Sequence, residues 1–73
     1  MSARACFEVA GQAADLLEEM GFTAVARLKG EVATLEFWRG PQAMRYELTD
    51  AAVLPSALAL ACVTEYRERV GDD

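Results

Sequence analysis

The chain has 73 residues, 53% of them hydrophobic and 26% charged, with a formal net charge of −5 and no histidine. That is too apolar for disorder and too short for two cores, so one globular domain over residues 1–73 is expected. A domain this small buries only about 60% of the surface its unfolded chain exposes, which leaves few large apolar side chains for display.

The first segment, roughly Ala3 to Met20, places Cys6, Val9, Ala13, Leu16 and Met20 at helical spacing, flanked by Phe7, Ala10, Ala14 and Leu17. It reads as an amphipathic helix with Ser2 as its N-cap and Gly21 as its C-terminal stop. Gly11 weakens its middle by about 1 kcal/mol relative to alanine. An alternative makes RACFEV a short strand and begins the helix near Gly11.

Residues 22–49 alternate with a period of two. FTAVARL offers Phe22, Ala24, Ala26 and Leu28 to one side. EVATLEFW offers Ala33, Leu35 and Phe37, and AMRYELT offers Met44, Tyr46 and Leu48. A two-residue loop at Lys29 and Gly30 pairs Ala26 with Ala33, Ala24 with Leu35 and Phe22 with Phe37. A loop centred on Gly40 and Pro41 pairs Phe37 with Met44, Leu35 with Tyr46 and Ala33 with Leu48. Both hairpins send the same residues inward, and a one-residue slip in either would break the agreement.

The last segment contains Pro55, which suits the first turn of a helix and disrupts later ones, so a helix is predicted from about Pro55 to Val70. Leu58, Ala61 and Cys62 form its expected buried stripe, with Leu54 leading in, TEYRER as the exposed end and Gly71 as the stop. Asp50 to Leu54 is a turn or a short helical piece. The expected fold is α+β: a three-stranded antiparallel sheet with two helices on one face, in the order α-β-β-β-α.

Two helices on one side leave the other side of the sheet wet, as antiparallel sheets allow. That outer face carries Thr23, Val25 and Arg27, then Val32, Thr34, Glu36 and Trp38, then Ala43, Arg45, Glu47 and Thr49. Glu36 falls opposite Arg45 as a cross-strand ion pair, and Trp38 falls opposite Ala43. Trp38 either shields the adjoining loop or anchors a contact, with Arg27, Glu36 and Arg45 around it, since tryptophan and arginine are enriched where interfaces concentrate their energy.

Charge is uneven along the chain. Residues 1–21 carry Arg4 against Glu8, Asp15, Glu18 and Glu19, net −3; residues 22–49 are net +1; residues 50–73 carry Arg67 and Arg69 against five acids, net −3. Asp15, Glu18 and Glu19 crowd a helix C-terminus, where the macrodipole already disfavours negative charge. With Glu65 and Glu68 on the second helix they form an acidic helical layer, which is either plain solvated surface or a patch that meets a basic partner.

Catalysis is not expected. The usual general base near pH 7 is missing, no nucleophile sits beside Glu18 and Glu19, and no loop has calcium-binding spacing. Cys6 and Cys62 make no Cys-x-x-Cys pair; reduced core cysteines are favoured over a disulfide, and no cofactor is called for. The longest apolar run, AAVLPSALALACV at 51–63, is interrupted by Pro55 and falls short of the roughly 18 residues of a membrane span. MSARACFEVA lacks the features of a signal peptide, so a soluble, cytoplasmic protein is expected.

The order helix, three strands, helix resembles the double-stranded-RNA-binding domain. That family has a basic cluster at the start of its second helix, where this chain reads AAVLPSALAL, so the topology carries over and the phosphate binding does not. The chain as a whole, short, acidic and histidine-free from MSARACFEVAGQAADLLEEMGF to the tail ERVGDD, also resembles the small phage-encoded anti-CRISPR inhibitors of type I surveillance complexes. This second resemblance implies a non-enzymatic inhibitor acting in the host cytoplasm, which binds a Cas complex where target DNA would lie. It assigns no individual residues. The expected partner is thus a protein, with no direct nucleic-acid or membrane contact, and the chain itself a monomer or weak homodimer. The alternative is a regulatory subunit or antitoxin-like module acting through the sheet face around Trp38.

Overall fold

A computed structural model describes residues 3–71, so Ser2 and the last two acids of the tail lie outside the described residues. The elements are α1 (Ala3–Glu19), β1 (Thr23–Lys29), β2 (Val32–Trp38), β3 (Ala43–Leu48) and α2 (Pro55–Val70), an α+β fold in the order α-β-β-β-α. Residues 4–9 are helical throughout, which removes the short-strand alternative.

α1 ends where glycine permits it to. Gly21 has φ +92°, its N–H donates to the Glu18 carbonyl at 3.1 Å, and the Phe22 N–H donates to the Leu17 carbonyl at 3.0 Å. These two bonds form a Schellman motif, with Phe22 in the position that packs back on Leu17. The motif reverses the chain directly into β1.

The sheet has the order β1-β2-β3 and is antiparallel throughout. The second hairpin has the predicted register, with Phe37 opposite Met44, Leu35 opposite Tyr46 and Ala33 opposite Leu48. The first differs by two residues: Ala24 faces Phe37, Ala26 faces Leu35 and Leu28 faces Ala33, so the loop is Gly30 and Glu31, not Lys29 and Gly30. Tight hairpin turns of both primed types need positive φ at their first central residue. Gly30, at φ +63°, takes that place, while Glu31 has no positive φ. A two-residue shift preserves the alternation of side chains, so the inward set survives the correction.

α1 lies across β1 and β2 and barely reaches β3, and α2 packs against α1. One core joins both helices to the inner sheet face. α1 contributes Cys6, Ala10, Ala13, Ala14 and Leu17; its predicted stripe is rotated, with Val9 and Leu16 half-buried and Met20 exposed. α2 contributes Leu58, Ala59, Cys62, Val63 and Tyr66, whereas Ala61 and Leu54 are exposed and Tyr66 is buried, against expectation. The inner face of β3 is thinly covered: Leu48 is buried, but Met44 is half-buried and Tyr46 exposed. Leu28, at the far end of β1, is exposed as well. These differences share one cause: α1 lies close over β1 and β2, while α2 packs beside α1 and reaches the inner sheet face mainly through Tyr66.

Between β3 and α2, the Asp50 carboxylate accepts the Ala52 N–H at 2.9 Å and holds a turn. Leu54 is then the N-cap without a side-chain hydrogen bond, and Pro55 opens the helix. Gly71, with its N–H donating to the Arg67 carbonyl at 3.0 Å, closes it.

Candidate protein-interaction surfaces

Both helices end at the same edge of the molecule. α1 feeds through Gly21 into Thr23, which pairs with Trp38, which pairs in turn with Ala43. That row borders the β2–β3 turn. From α2, the Tyr66 hydroxyl reaches the same turn: it accepts the Arg39 N–H at 3.2 Å and lies 2.6 Å from the Arg39 carbonyl and 3.0 Å from that of Gln42, either of which can take its proton. The Tyr66 ring stands edge-on to Phe22, centroids 5.1 Å apart, and tilted to Phe37 at 6.2 Å. Phe22 in turn carries the Arg39 guanidinium 4.6 Å above its ring.

The predicted acids converge on this end. Asp15, Glu18 and Glu19 are exposed on the last turns of α1, which holds no basic residue there. Among the described residues none of the three has a cation within ion-pair distance. On α2, Glu68 is exposed, while Glu65 is half-buried and pairs with Arg69 at 3.5 Å. The negative poles of both helices point the same way and add to these charges. Arg39, Arg67 and Arg69 offset them in part.

The outer sheet face makes a second surface. Arg27, Lys29, Val32, Thr34, Glu36, Arg45 and Glu47 line a shallow depression of about 510 Å³. Glu36 pairs there with Arg27 at 3.8 Å, across the diagonal of the β1–β2 pair, and not with Arg45 directly opposite. The depression thus brings Arg27, Glu36 and Arg45 together. Trp38 lies one position further along the same face, half-buried between Thr23 and Ala43. Glu47 stands on the outer face as its strand period predicts, whereas Lys29, expected in the hairpin loop, joins that face because the register shift adds it to β1 opposite Val32.

A third surface was missed entirely. The outward side of α2 consists of Ala57, Leu60, Ala61 and Thr64, all exposed, with Leu60 at 64% and the preceding Leu54 at 68%. The signal was present: residues 55–64 carry no charge, whereas a helix covered on one side alone normally has a charged back.

Among the described residues no three metal-ligating side chains cluster, and no helix is long and apolar enough to cross a membrane. Comparison with protein-family models, with curated proteins and with solved structures finds no match to this chain.

Proposed function

We propose that this chain is a non-enzymatic, protein-binding inhibitor that presents its acidic end to a basic, nucleic-acid-handling partner in the cytoplasm, in the manner of an anti-CRISPR protein that blocks target DNA at a Cas surveillance complex. The observation that carries the reading is the convergence of two helix C-termini with Asp15, Glu18, Glu19, Glu65 and Glu68 at one end. Each unpaired acid in a last helical turn costs about 0.3–1 kcal/mol, so the arrangement works against the stability of α1. Local violations of this kind are expected where a surface serves binding. A basic groove that accepts DNA phosphates would accept this end for the same electrostatic reason.

The test replaces Asp15, Glu18 and Glu19 together by Asn, Gln and Gln. The variant should fold at least as well as the parent by circular dichroism, bind the partner at least about tenfold more weakly at low salt, and show a shallower salt dependence. A folded triple variant that binds and inhibits like the parent removes the acidic end from the contact. A second reading places the contact on the outer sheet face, favoured by the mixed-charge depression around Arg27, Glu36 and Arg45. In that case Trp38→Ala combined with Arg45→Ala abolishes binding and the acid variant does not.

A further inference from the structure

A helix that is apolar on both sides belongs between two layers, and in the single chain α2 has only one. Its inner side meets α1 and the sheet through Leu58, Cys62, Val63 and Tyr66. Its outer side repeats at i, i+3, i+4 and i+7 as Ala57, Leu60, Ala61 and Thr64, and the Thr64 hydroxyl donates to the Leu60 carbonyl at 2.9 Å. The strip therefore leaves no side-chain hydrogen bond to be satisfied by whatever covers it.

The two ends of the strip differ in charge: the positive pole of the helix stands at one, and Glu68, beside Arg67 and Arg69 of the last turn, at the other. At its N-terminal end α2 has no acid in the first turn and no side-chain cap, so the positive pole of the helix is unneutralised. At its C-terminal end Glu68 is exposed on the same side, one turn beyond Thr64. The spacing is symmetric about the Leu60–Ala61 bond. A second α2 laid antiparallel across it pairs Ala57 with Thr64 and Leu60 with Ala61. Each Glu68 then comes to the uncapped N-terminus of the other helix. A parallel arrangement instead sets Glu68 against Glu68 and like poles side by side. The small side chains of Ala57 and Ala61 allow an interaxial distance of about 8 Å, at the close end of helix packing.

We propose that two copies of this chain associate through the outer face of α2, antiparallel about a two-fold axis at Leu60–Ala61. The strip is narrower than the about 800 Å² per partner of a standard interface, so the dimer is weak, with a dissociation constant on the order of 100 μM. This pairing engages Glu68, one of the five acids of the inhibitor reading, but leaves Asp15, Glu18 and Glu19 uncovered, so the acid variant and Leu60→Glu test the two separately.

Sedimentation velocity of the whole chain from about 5 μM to 1 mM tests the association. The parent should pass from monomer to dimer over that range, and Leu60→Glu, a change at an exposed position, should weaken pairing by at least about tenfold with unchanged circular dichroism. Oxidative cross-linking tests the arrangement: a mixture of Ala57→Cys and Thr64→Cys chains should give the mixed disulfide in preference to Thr64→Cys joined to itself. A parent that stays monomeric at the top concentration overturns the proposal and leaves the strip to a different protein. Dimerisation untouched by Leu60→Glu, or preferential self-linking of Thr64→Cys, overturns the surface or the antiparallel sense.

Discussion

Cys62 shows how a small buried group senses the layers around it. It is 1% exposed on the inner side of α2, and removal from water, reinforced by the nearby Glu65 carboxylate, pushes its thiol up from the ordinary 9.0 to about 12. Desolvation penalises the thiolate and leaves the neutral thiol untouched. The folded state then holds this proton more tightly than the unfolded chain does. Stability from this source is complete below pH 9, declines as the unfolded thiol ionises, and is lost as pH rises toward 12. Denaturant melts of the parent should thus fall more steeply between pH 9 and 11 than those of Cys62→Ala. At pH 8 native Cys62 should resist alkylation until the chain is unfolded.

At the scale of elements, Tyr66 fastens α2 to the β2–β3 turn with a hydroxyl that serves Arg39 and Gln42. Tyr66→Phe keeps the ring packing on Phe22 and Phe37 and removes only those bonds. The expected cost is about 0.5–1.5 kcal/mol, with faster hydrogen exchange at the Arg39 amide and little change elsewhere. Uniformly faster exchange would mean that the hydroxyl supports the fold as a whole and not this joint. The first hairpin belongs to the same scale. Its period-two pattern tolerates any even shift, so Ala24, Ala26 and Leu28 face inward under either register, and only the φ required of Gly30 selects one.

Across the whole molecule the core is rich in small side chains. Among the described residues six of its sixteen members are alanines, which let α1 approach β1 and β2 closely, while Tyr66, Phe37, Leu17 and Leu35 are its largest fully buried side chains. Leu35, fully buried at the centre of the middle strand, touches this economy most directly. Leu35→Ala should cost about 2–5 kcal/mol. Against a total of about 5–15 kcal/mol for a typical domain, that is a large share, read as a thermal midpoint well below that of the parent. A well-folded variant with an unchanged melt would show that the core collapses around the gap.

The element order, the ends of α2 at Pro55 and Val70, the Gly21 stop and the inward set of the strands were legible because each rests on local chemistry: a ring that fixes φ, a residue that tolerates positive φ, and a two-residue alternation. The acids Asp15, Glu18 and Glu19 were legible as a crowded group for the same reason. Which arc of each helix turns inward was not. Periodicity names a stripe only to within a residue or two, and the way the two helices pack side by side against the sheet determined that Met20 and Ala61 face water while Tyr66 is buried on Phe22 and Phe37. The meeting of both acidic helix ends at one edge, the diagonal Arg27–Glu36 pair, and the bare apolar back of α2 likewise follow from how the layers are stacked. Long-range packing decides these, because burial depends on what lies on the other side of a residue and no local pattern contains that neighbour.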